Sequence, residues 1–376
     1  MIYLDSAATT LQKPPTVARA VFHAIGHAAS PGRGGHRPAM LGAELTFRCR
    51  QEAAALFAVE EPEQVVLTSS ATHGLNIALR SLVRPGGTVV VSGYEHNAVT
   101  RPLHAIGADV RVARASLFDR AAALEAFDRA IGPGVEAVVC NHVSNVFGSI
   151  QPVEDIAALC RARGVPFILD ASQSAGCLPV SLKGLGAAFI AMPGHKGLYG
   201  PQGTGLLLCG SEVVEPLIQG GTGSLSARQE MPDFLPDRLE AGTHNVPGAA
   251  GLLEGIRYVR RRGIGAILAK ERNLTQRAAH GLERISGVTV FRSVRLEDQA
   301  GVLSFQVDGL DCEAVGEALG TRGIAVRAGL HCAPLAHGSA GPLEKGTVRA
   351  SCSDFNTPGE IDRLIQAVEQ IARHKK

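Results

Sequence analysis

The sequence predicts an α/β protein with a mostly parallel central sheet and a smaller α+β domain. Short apolar runs alternate with helical patterns through the middle of the chain, and most of these runs lack polar residues at alternate positions. Such runs are typical of strands covered by helices on both faces, and strand–helix alternation favours parallel pairing. The C-terminal part has a different order of elements, which indicates a second unit.

Two helices are predicted ahead of the sheet, over 14–29 and 43–57, with the glycine-rich segment 30–35 between them. The apolar runs that we expect to form the strands of the sheet lie at 65–67, 89–91, 137–140, 167–169, 189–191 and 206–208. The helical patterns between these runs lie at 72–82, 98–106, 121–131 and 153–163.

Long helical patterns at 247–262 and 264–285 open the C-terminal part. The strand-like runs and helical patterns that follow alternate along the tail, with strands at 288–291, 302–307 and 348–351 and helices at 312–322 and 358–373. At about 150 residues per domain, 376 residues are enough for two or three domains. We expect 14–255 to form the large α/β domain, and 1–13 with 256–376 to form the small α+β domain.

Composition and charge exclude several classes of protein. Lys plus Arg number 37 and Asp plus Glu number 35, and no run of like charge is longer than Arg260–Arg262, so we expect no nucleic-acid-binding surface. With 45% hydrophobic and 19% charged residues, the chain is not disordered throughout. No apolar stretch reaches the roughly 18 residues of a membrane span, and residues 1–5 lack the pattern of an export signal. We therefore expect a cytoplasmic protein.

The chain has eight cysteines, and none of them forms a C-x-x-C pair. No Cys/His cluster has zinc-finger spacing, so we expect no structural metal site. In a reducing compartment these residues are mostly free thiols, and the ordinary role of a free cysteine is that of a small buried apolar residue. At most one or two of them are expected to carry chemistry.

Polar residues follow the predicted strands, at the points where the strands end. In an open parallel sheet ligands bind beyond the carboxyl ends of the strands, so these residues are the candidates for a binding site. The segments in question are 68–74, 95–97, 141–145, 170–173 and 194–197. Each alone is a weak signal because turns attract polar residues, but together they supply His, Asn, Asp and Lys at successive strand ends.

This set of side chains suits pyridoxal 5'-phosphate (PLP). Lys196, in a glycine-rich turn, can form a Schiff base with an aldehyde, and Asp170 can hold a pyridinium nitrogen protonated. A histidine such as His96 can stack on an aromatic plane. Asp170 follows one predicted strand and Lys196 follows the next, which is the usual order for this cofactor class. A solvated loop lysine is the alternative explanation of Lys196.

Segments spread along the chain match one known family: Tyr3–Thr10, Glu95–Ala98, Ser144–Gly148, Asp170–Gln173, Gly194–Lys196, Glu240–Thr243, Arg327–Ala333 and Val348–Ser351. In these segments the chain resembles the class V aminotransferase-like PLP enzymes, specifically the cysteine desulfurases. It is most similar to their second, Suf-type group and to the selenocysteine lyases. The resemblance implies the aspartate-aminotransferase-like fold of PLP enzymes (fold type I), with PLP bound in the large domain.

The resemblance implies a role for each residue that would meet the cofactor. Lys196 would carry the cofactor and later move protons, and Asp170 would pair with the pyridine nitrogen. Gln173 would reach the phenolic oxygen of the ring. His96 would stack on the ring and act as an acid or base. Asn145 is expected to contact both the cofactor and the substrate.

The phosphate and the substrate carboxylate have their own implied partners. Ala71 and Thr72 would hold the phosphate, joined by His195. Thr243 would reach the phosphate of the neighbouring subunit's cofactor, which implies a homodimer with shared active sites. Arg349, together with Asn145, would hold the amino-acid end of the substrate, with the guanidinium forming a bidentate fork on the carboxylate.

Cys332 is the residue on which the implied activity depends. In enzymes of this kind a cysteine thiolate attacks the sulfur of the bound substrate, a persulfide forms on the enzyme, and alanine leaves. The attack needs a thiolate, and His331 and Arg327 are close enough in sequence to assist its formation. The alternative is that Cys332 is an ordinary core thiol, the role expected of the other cysteines.

The chain also departs from the Suf-type pattern. Pro193 stands two residues before His195, where a serine or threonine hydroxyl usually helps to hold the phosphate, and proline offers neither a hydroxyl nor an N–H. Phosphate binding must then depend on other groups, such as Ser70, Thr72 or Thr243. This departure indicates a divergent branch of the Suf-type group.

The sequence is compatible with several functions. The first is a cysteine desulfurase that passes persulfide sulfur to an acceptor protein for iron–sulfur or thio-cofactor assembly. The second is a selenocysteine lyase acting on L-selenocysteine, and the third is a class V aminotransferase or epimerase with Cys332 incidental. A non-catalytic PLP scaffold is the fourth, but a scaffold would not need Lys196, Asp170, His96 and Arg349 together.

Overall fold

A seven-stranded sheet lies at the centre of the larger part of the molecule. The structure is a computed structural model that describes residues 1–32 and 34–373. The sheet is built from strands β2 (Val65–Thr68), β3 (Thr88–Ser92), β4 (Asp109–Ala113), β5 (Val135–Asn141), β6 (Phe167–Asp170), β7 (Phe189–Pro193) and β8 (Gly205–Cys209), with β1 (Ile2–Tyr3) outside it. Its strand order is β2-β8-β7-β6-β5-β3-β4.

The mostly parallel sheet that the sequence predicts is confirmed. Strands β4, β3, β5, β6 and β7 are parallel, and only β8 runs antiparallel to its neighbours β7 and β2. Val89, Val90 and Val91 of β3 are fully buried, so both faces of the strand are covered. This is why the central runs show no polar alternation.

The helices agree with the sequence patterns to within a few residues, apart from the start of the second helix and two short helices, over 182–185 and 334–340, that the patterns do not predict. They are α1 (Pro15–His27), α2 (Arg37–Phe57), α3 (Ala71–Leu82), α4 (Asn97–Ile106), α5 (Arg120–Ala130), α6 (Val153–Ala162), α7 (Leu182–Leu185), α8 (Val246–Arg262), α9 (Ile264–Glu283), α10 (Cys312–Gly320), α11 (Pro334–Ala340) and α12 (Pro358–Arg373). The prediction that the second helix begins at residue 43 is wrong, because it begins at Arg37. His36 caps this helix and Pro38 lies in its first turn, where proline costs no hydrogen bond.

Strand β4 is absent from the sequence prediction. It lies at one edge of the sheet, and its residues alternate between exposed and half-buried from Asp109 to Val112. A strand exposed on one side carries polar residues at alternate positions, so a search for continuous apolar runs overlooks it.

The C-terminal part contains a second sheet. Strands β9 (Val288–Phe291), β10 (Val302–Val307), β12 (Arg327–Gly329) and β13 (Thr347–Ser351) form it in the order β12-β13-β10-β9, and all its pairs are antiparallel. The N-terminal strand β1 pairs with β11 (Ile324–Ala325), so the start of the chain is joined to this part. Helices α9, α10 and α12 share a buried apolar cluster with the sheet. The division at residue 255 stays a prediction, and that residue lies inside α8.

The parallel strands end at the same edge of the large sheet. Asp170, the last residue of β6, lies opposite Asn141 at the end of β5 and opposite Ala191 in β7. Lys196 follows the end of β7 by three residues. Within residues 1–32 and 34–373, no helix combines the length and apolar character needed to cross a membrane. In the same residues no group of three or more His, Cys, Asp or Glu side chains is arranged to hold a metal ion.

Candidate active site

The carboxyl ends of β5, β6 and β7 open onto a cavity that gathers most of the residues singled out in the sequence. Its lining includes eight of the nine predicted cofactor-binding residues: Ala71, Thr72, His96, Asn145, Asp170, Gln173, His195 and Lys196. They come from loops and helix starts that are far apart in the sequence. The parallel topology brings them together at one edge of the sheet.

Lys196 and Asp170 give the cavity its main electrostatic character. Burial lowers the pKa of Lys196 to about 8, with Asp170 opposing this effect and Arg349 adding to it. Asp170 is 4% exposed, and its Oδ1 accepts a hydrogen bond of 2.9 Å from the backbone N–H of Ser172. A substantial fraction of the Lys196 amine is therefore neutral, and hence nucleophilic, near neutral pH.

His96 caps helix α4 and lines the same cavity. Its Nδ1 accepts a hydrogen bond of 3.0 Å from the backbone N–H of Ala98, so the neutral ring carries its proton on Nε2. Burial lowers the pKa of His96, Asp170 raises it, and Lys196 lowers it further. The ring is thus a neutral, oriented plane with one N–H donor.

Helix α3 and His195 form the end of the cavity where an anion is expected. The first N–H groups of a helix have no acceptor within the helix, and here they belong to Ala71 and Thr72. Ser70 caps this helix, because its Oγ accepts a hydrogen bond from the backbone N–H of His73. Nδ1 of His195 lies 3.0 Å from Oγ1 of Thr9, and burial lowers the pKa of His195 to about 4.

Pro193 and Gln173 complete the wall. Pro193 lines the cavity, so the position that usually supplies a hydroxyl presents an apolar ring. Gln173 donates through Nε2 to the backbone oxygen of Ala7 at 2.9 Å. The N-terminal segment thereby holds the amide nitrogen of Gln173.

Arg349 does not itself line the cavity but is buried against Asn145, which does. Nη1 of Arg349 donates to the backbone oxygen of Asn145 at 2.9 Å, and Nη2 donates to Oδ1 of Asp5 at 2.8 Å. Burial lowers the pKa of Arg349, and Asp5 counteracts this effect. In the part of the chain that the structure describes, two buried atoms of the pair have no partner, Nε of Arg349 and Oδ1 of Asn145.

Cys332 lies on an exposed loop that is tied to the cavity on two sides. The backbone N–H of Asn97, next to His96, donates to the backbone oxygen of Cys332 at 2.8 Å. On the other side, Nδ2 of Asn145 donates to the backbone oxygen of His331 at 2.8 Å. The loop that carries Cys332 is therefore bonded to Asn145, which lines the cavity, and to Asn97, which lies between the lining residues His96 and Ala98.

His331 and Arg327, the two residues expected to assist Cys332, form hydrogen bonds with other residues. Nε2 of His331 lies 3.1 Å from both the backbone oxygen and Oγ1 of Thr347, and burial lowers the pKa of His331 to about 3. A ring with so low a pKa is a weak base, which argues against proton removal by His331. Arg327 binds the carboxylate of Asp5.

Thr243 lies apart from the other predicted residues. It is exposed and lines a second, larger cavity of about 320 Å³, whereas the cavity around Lys196 measures about 100 Å³. Glu240 borders the same space and forms a buried ion pair with Arg50 at 2.6 Å. Within one chain Thr243 does not reach the Lys196 cavity, so any contact with a cofactor would have to be with that of another subunit.

Sequence reasoning assigned no role to two residues of the site. Asn141 was noticed in a strand-end segment, and it lines the cavity and donates to the backbone oxygen of Tyr94. Asp5, which binds both Arg327 and Arg349, lies in a matching segment that gave no hint of its partners. The sequence carries no local signal that pairs Asp5 with these arginines, because the contacts join the N-terminal segment to strands β12 and β13.

The residues of the cavity fit PLP. The cavity combines an amine of lowered pKa, a carboxylate, a neutral imidazole plane and a helix start with free N–H groups. Among the described residues, the buried Oδ1 of Asn145 and Nε of Arg349 remain unpaired, and such atoms are costly unless a ligand meets them. Lys196, Asp170 and His96 would hold the ring, and Ala71, Thr72 and His195 the phosphate.

Comparisons with known proteins agree with this arrangement. A family model described as aminotransferase class-V matches residues 2–364. A probable cysteine desulfurase of Methanothermobacter thermautotrophicus is 33% identical over 385 residues, which cover 99% of this chain and 94% of the relative. A cysteine desulfurase of Escherichia coli O157:H7 is 32% identical over 391 residues, with the same coverage. The apo structure of a cysteine desulfurase from Thermococcus onnurineus superimposes with a TM-score of 0.89 at 31% identity, over 99% of this chain and 94% of that one.

Proposed function

The chain belongs to the class-V aminotransferase family, and from that premise we propose that it is a PLP-dependent cysteine desulfurase. It removes the sulfur of L-cysteine, releases L-alanine and keeps the sulfur as a persulfide on Cys332. The observation that carries this proposal is the attachment of the Cys332 loop to the Lys196 cavity through Asn97 and Asn145. An aminotransferase with an incidental cysteine would not require this attachment.

When bound, PLP supplies an electron-withdrawing ring that weakens the bonds at the α-carbon of an amino acid. The residues of the chain position the substrate and move its protons. Arg349 binds the substrate carboxylate, and Oδ1 of Asn145 offers an acceptor to a donor on the cofactor or substrate. Asp170 would pair with the pyridine nitrogen of bound PLP, and the His96 ring would stack on the face of the cofactor.

Lys196 serves as the proton carrier of the site. An amine with a pKa of about 8 exchanges protons readily near neutral pH, as general acid–base catalysis requires. It takes the proton from the substrate α-carbon and returns one during alanine formation. His96, whose Nε2 carries a proton, is the second donor within the cavity.

Cys332 performs the sulfur transfer. Its thiolate attacks the substrate sulfur, a sulfur–sulfur bond forms, and the bond between that sulfur and the β-carbon breaks. The electron pair of the broken bond stays with the carbon, which takes a proton and leaves as alanine. Because Cys332 is exposed, an acceptor protein can reach the persulfide that results.

The wider setting is part of the same proposal. We propose a homodimer in which Thr243 of one subunit contacts the cofactor phosphate of the other, because Thr243 is exposed and lies outside its own subunit's Lys196 cavity. We propose a cytoplasmic enzyme that delivers sulfur to an acceptor protein for iron–sulfur cluster assembly. The proposed enzyme binds neither nucleic acid nor a membrane.

The purified protein loaded with PLP tests the proposal. L-Cysteine should give equal amounts of alanine and, with a reductant present, sulfide. The Lys196→Ala variant should bind no cofactor covalently and give neither product. Formation of a keto acid without sulfide would instead support the aminotransferase, and turnover of L-selenocysteine alone would support the lyase.

A further inference from the structure

Asp5 lies between two arginines at the edge of the active site. Its Oδ1 accepts a hydrogen bond of 2.8 Å from Nη2 of Arg349, and its Oδ2 accepts from Nη2 of Arg327 at 2.8 Å and from Nε of Arg327 at 3.1 Å. The side chain of Arg349 is 3% exposed and that of Arg327 is 51% exposed, so the bond between Asp5 and Arg349 is the one shielded from water. Buried charge-assisted bonds of this kind are stronger than the same contacts at the surface.

The backbone fixes the Asp5 carboxylate relative to Arg349. Asp5 forms a bridge with Ser351, which lies two residues beyond Arg349 in strand β13. The backbone N–H of Ser351 donates to the oxygen of Leu4 at 2.8 Å, and that of Ser6 donates to the oxygen of Ser351. Asp5 and Arg349 therefore lie on neighbouring, hydrogen-bonded segments, and neither can shift alone.

Arg349 is held from two directions, which fixes the plane of its guanidinium. Asp5 binds Nη2 and the backbone oxygen of Asn145 binds Nη1, while the side chain is only 3% exposed. Its Nε has no partner within the described residues. A guanidinium anchored at both terminal nitrogens presents Nε in a single direction, so this buried donor is oriented for an acceptor that is not part of the chain.

We propose that Asp5 is a positioning residue, which holds Arg349 in the orientation that binds the α-carboxylate of the amino-acid substrate. This inference rests on the proposed function, since it assumes an amino-acid substrate. The charges are consistent with it, because the two guanidiniums exceed the one carboxylate by a single positive charge. One substrate carboxylate balances that charge.

Asp5 has a competing interpretation with the opposite consequence. If its carboxylate occupied the place of the substrate carboxylate on Arg349, removing its charge would improve substrate binding. If it positions Arg349, removing its charge frees the guanidinium to rotate and weakens substrate binding. The sign of the change in KM therefore separates the two interpretations.

The experiment compares the wild-type holoenzyme with Asp5→Asn and Asp5→Glu. We expect Asp5→Asn to raise the KM for L-cysteine by about tenfold or more, as expected for the loss of a charged hydrogen bond, with kcat changed by less than about threefold. Asp5→Glu keeps the charge and should restore part of the affinity. If Asp5→Asn does not fold, the KM of Asp5→Glu for L-cysteine tests the proposal in its place. Asp362→Asn, which removes an aspartate from an exposed pair with Arg277, is the matched control and should change neither constant.

Two ligands separate positioning from general damage. L-Alanine carries the α-carboxylate, whereas cysteamine has the amine and thiol of cysteine without it. Titrations followed by the absorbance of the bound cofactor should show weaker L-alanine binding by Asp5→Asn and unchanged cysteamine binding. An unchanged or lowered KM, or equal weakening of both ligands, would overturn the role of Asp5. Wild-type protein without desulfurase turnover would refute the proposed function, while its L-alanine titration would still test Asp5.

Discussion

The backbone oxygen of Cys332 accepts a hydrogen bond of 2.8 Å from the backbone N–H of Asn97, the residue that follows His96. His96 lines the Lys196 cavity, so this bond joins the loop that carries Cys332 to the residue next to His96. Cys332 and His331 both have left-handed backbone angles, with φ of 54° and 49°. Two such residues in succession cost free energy, which the surrounding contacts must offset.

A buried network around Thr347 holds this loop in place, and Thr347→Val tests it. Oγ1 of Thr347 lies 3.1 Å from Nε2 of His331 and 3.3 Å from Nε2 of His337. Valine keeps the shape and removes the hydroxyl, so we expect a loss of about 1–3 kcal/mol of stability in denaturant unfolding. The Cys332 persulfide should also form more slowly in a single turnover.

Thr46→Val is the matched control for the Thr347 network. Its hydroxyl is also buried but donates only to backbone oxygens of its own helix, Gly42 and Ala43. Its effect on stability should be smaller, and its effect on persulfide formation should be absent. Equal effects of the two variants on persulfide formation would show that the Thr347 network does not orient the loop.

The lowered pKa of Lys196 predicts the pH dependence of cofactor attachment. In cofactor-free protein the neutral amine is the reactive form, and a pKa of about 8 means that its fraction rises about tenfold between about pH 7 and about pH 9 and then levels off. An ordinary lysine would continue to gain reactivity beyond that range. The measurement is the rate of covalent PLP incorporation, trapped by borohydride and located by peptide mapping. Rates that still climb steeply above about pH 9 would contradict this value.

The Arg50–Glu240 pair predicts both a stability loss and its pH dependence. Burial alone raises the pKa of Glu240, but hydrogen bonds from His244 and Arg50 outweigh it and hold the pKa below its usual value. Glu240 therefore stabilises the folded state at pH values above the usual pKa of a glutamate. This stabilisation is lost as the pH falls through the lowered pKa. Glu240→Gln should cost about 3–5 kcal/mol at neutral pH, because it leaves Arg50 buried without its counter-charge.

Denaturant unfolding at several pH values measures the Glu240 contribution. The difference in unfolding free energy between wild type and Glu240→Gln should shrink on acidification below the usual glutamate value of 4.5. Arg277 and Asp362 form an exposed pair that serves for comparison, and Asp362→Asn should cost at most about 1 kcal/mol. If the difference in unfolding free energy between wild type and Glu240→Gln grew on acidification, the pKa of Glu240 would not be lowered in the folded protein.

Cysteine and selenocysteine turnover should respond differently to the loss of the nucleophile. A selenol is more acidic than a thiol and leaves more readily, so selenium release does not require an attacking thiolate. We expect Cys332→Ala to lower L-cysteine turnover by on the order of a hundredfold or more while L-selenocysteine turnover is largely kept. Equal loss with both substrates would indicate that Cys332 shapes the site rather than attacking sulfur.

Much of the candidate site follows from the sequence because parallel strands end together. Asp170 lies opposite Asn141 across β5 and β6, and Lys196 follows the neighbouring strand, so residues read at successive strand ends meet in space. The strands themselves were recognisable because they are buried on both faces. Their apolar runs are uninterrupted for the same reason.

The parts that escaped prediction depend on contacts between distant segments. Asp5 meets Arg349 only because the N-terminal segment pairs with strand β13, and no local pattern reports that pairing. The engagement of His331 with Thr347 is likewise set by packing in the small sheet. Local periodicity carries information on faces and ends of elements, but not on which remote element covers them.

The proposed function requires Cys332 to take the sulfur of L-cysteine in the cavity formed around Lys196. The most direct test is mass spectrometry of the holoenzyme after one turnover with L-cysteine in the absence of reductant. The peptide containing Cys332 should gain one sulfur atom in step with the release of one alanine, and Cys352→Ala should behave like wild type because that thiol is buried and its pKa is raised to about 12. Alanine release with an unmodified Cys332 peptide, or with the sulfur on another cysteine, would contradict the account.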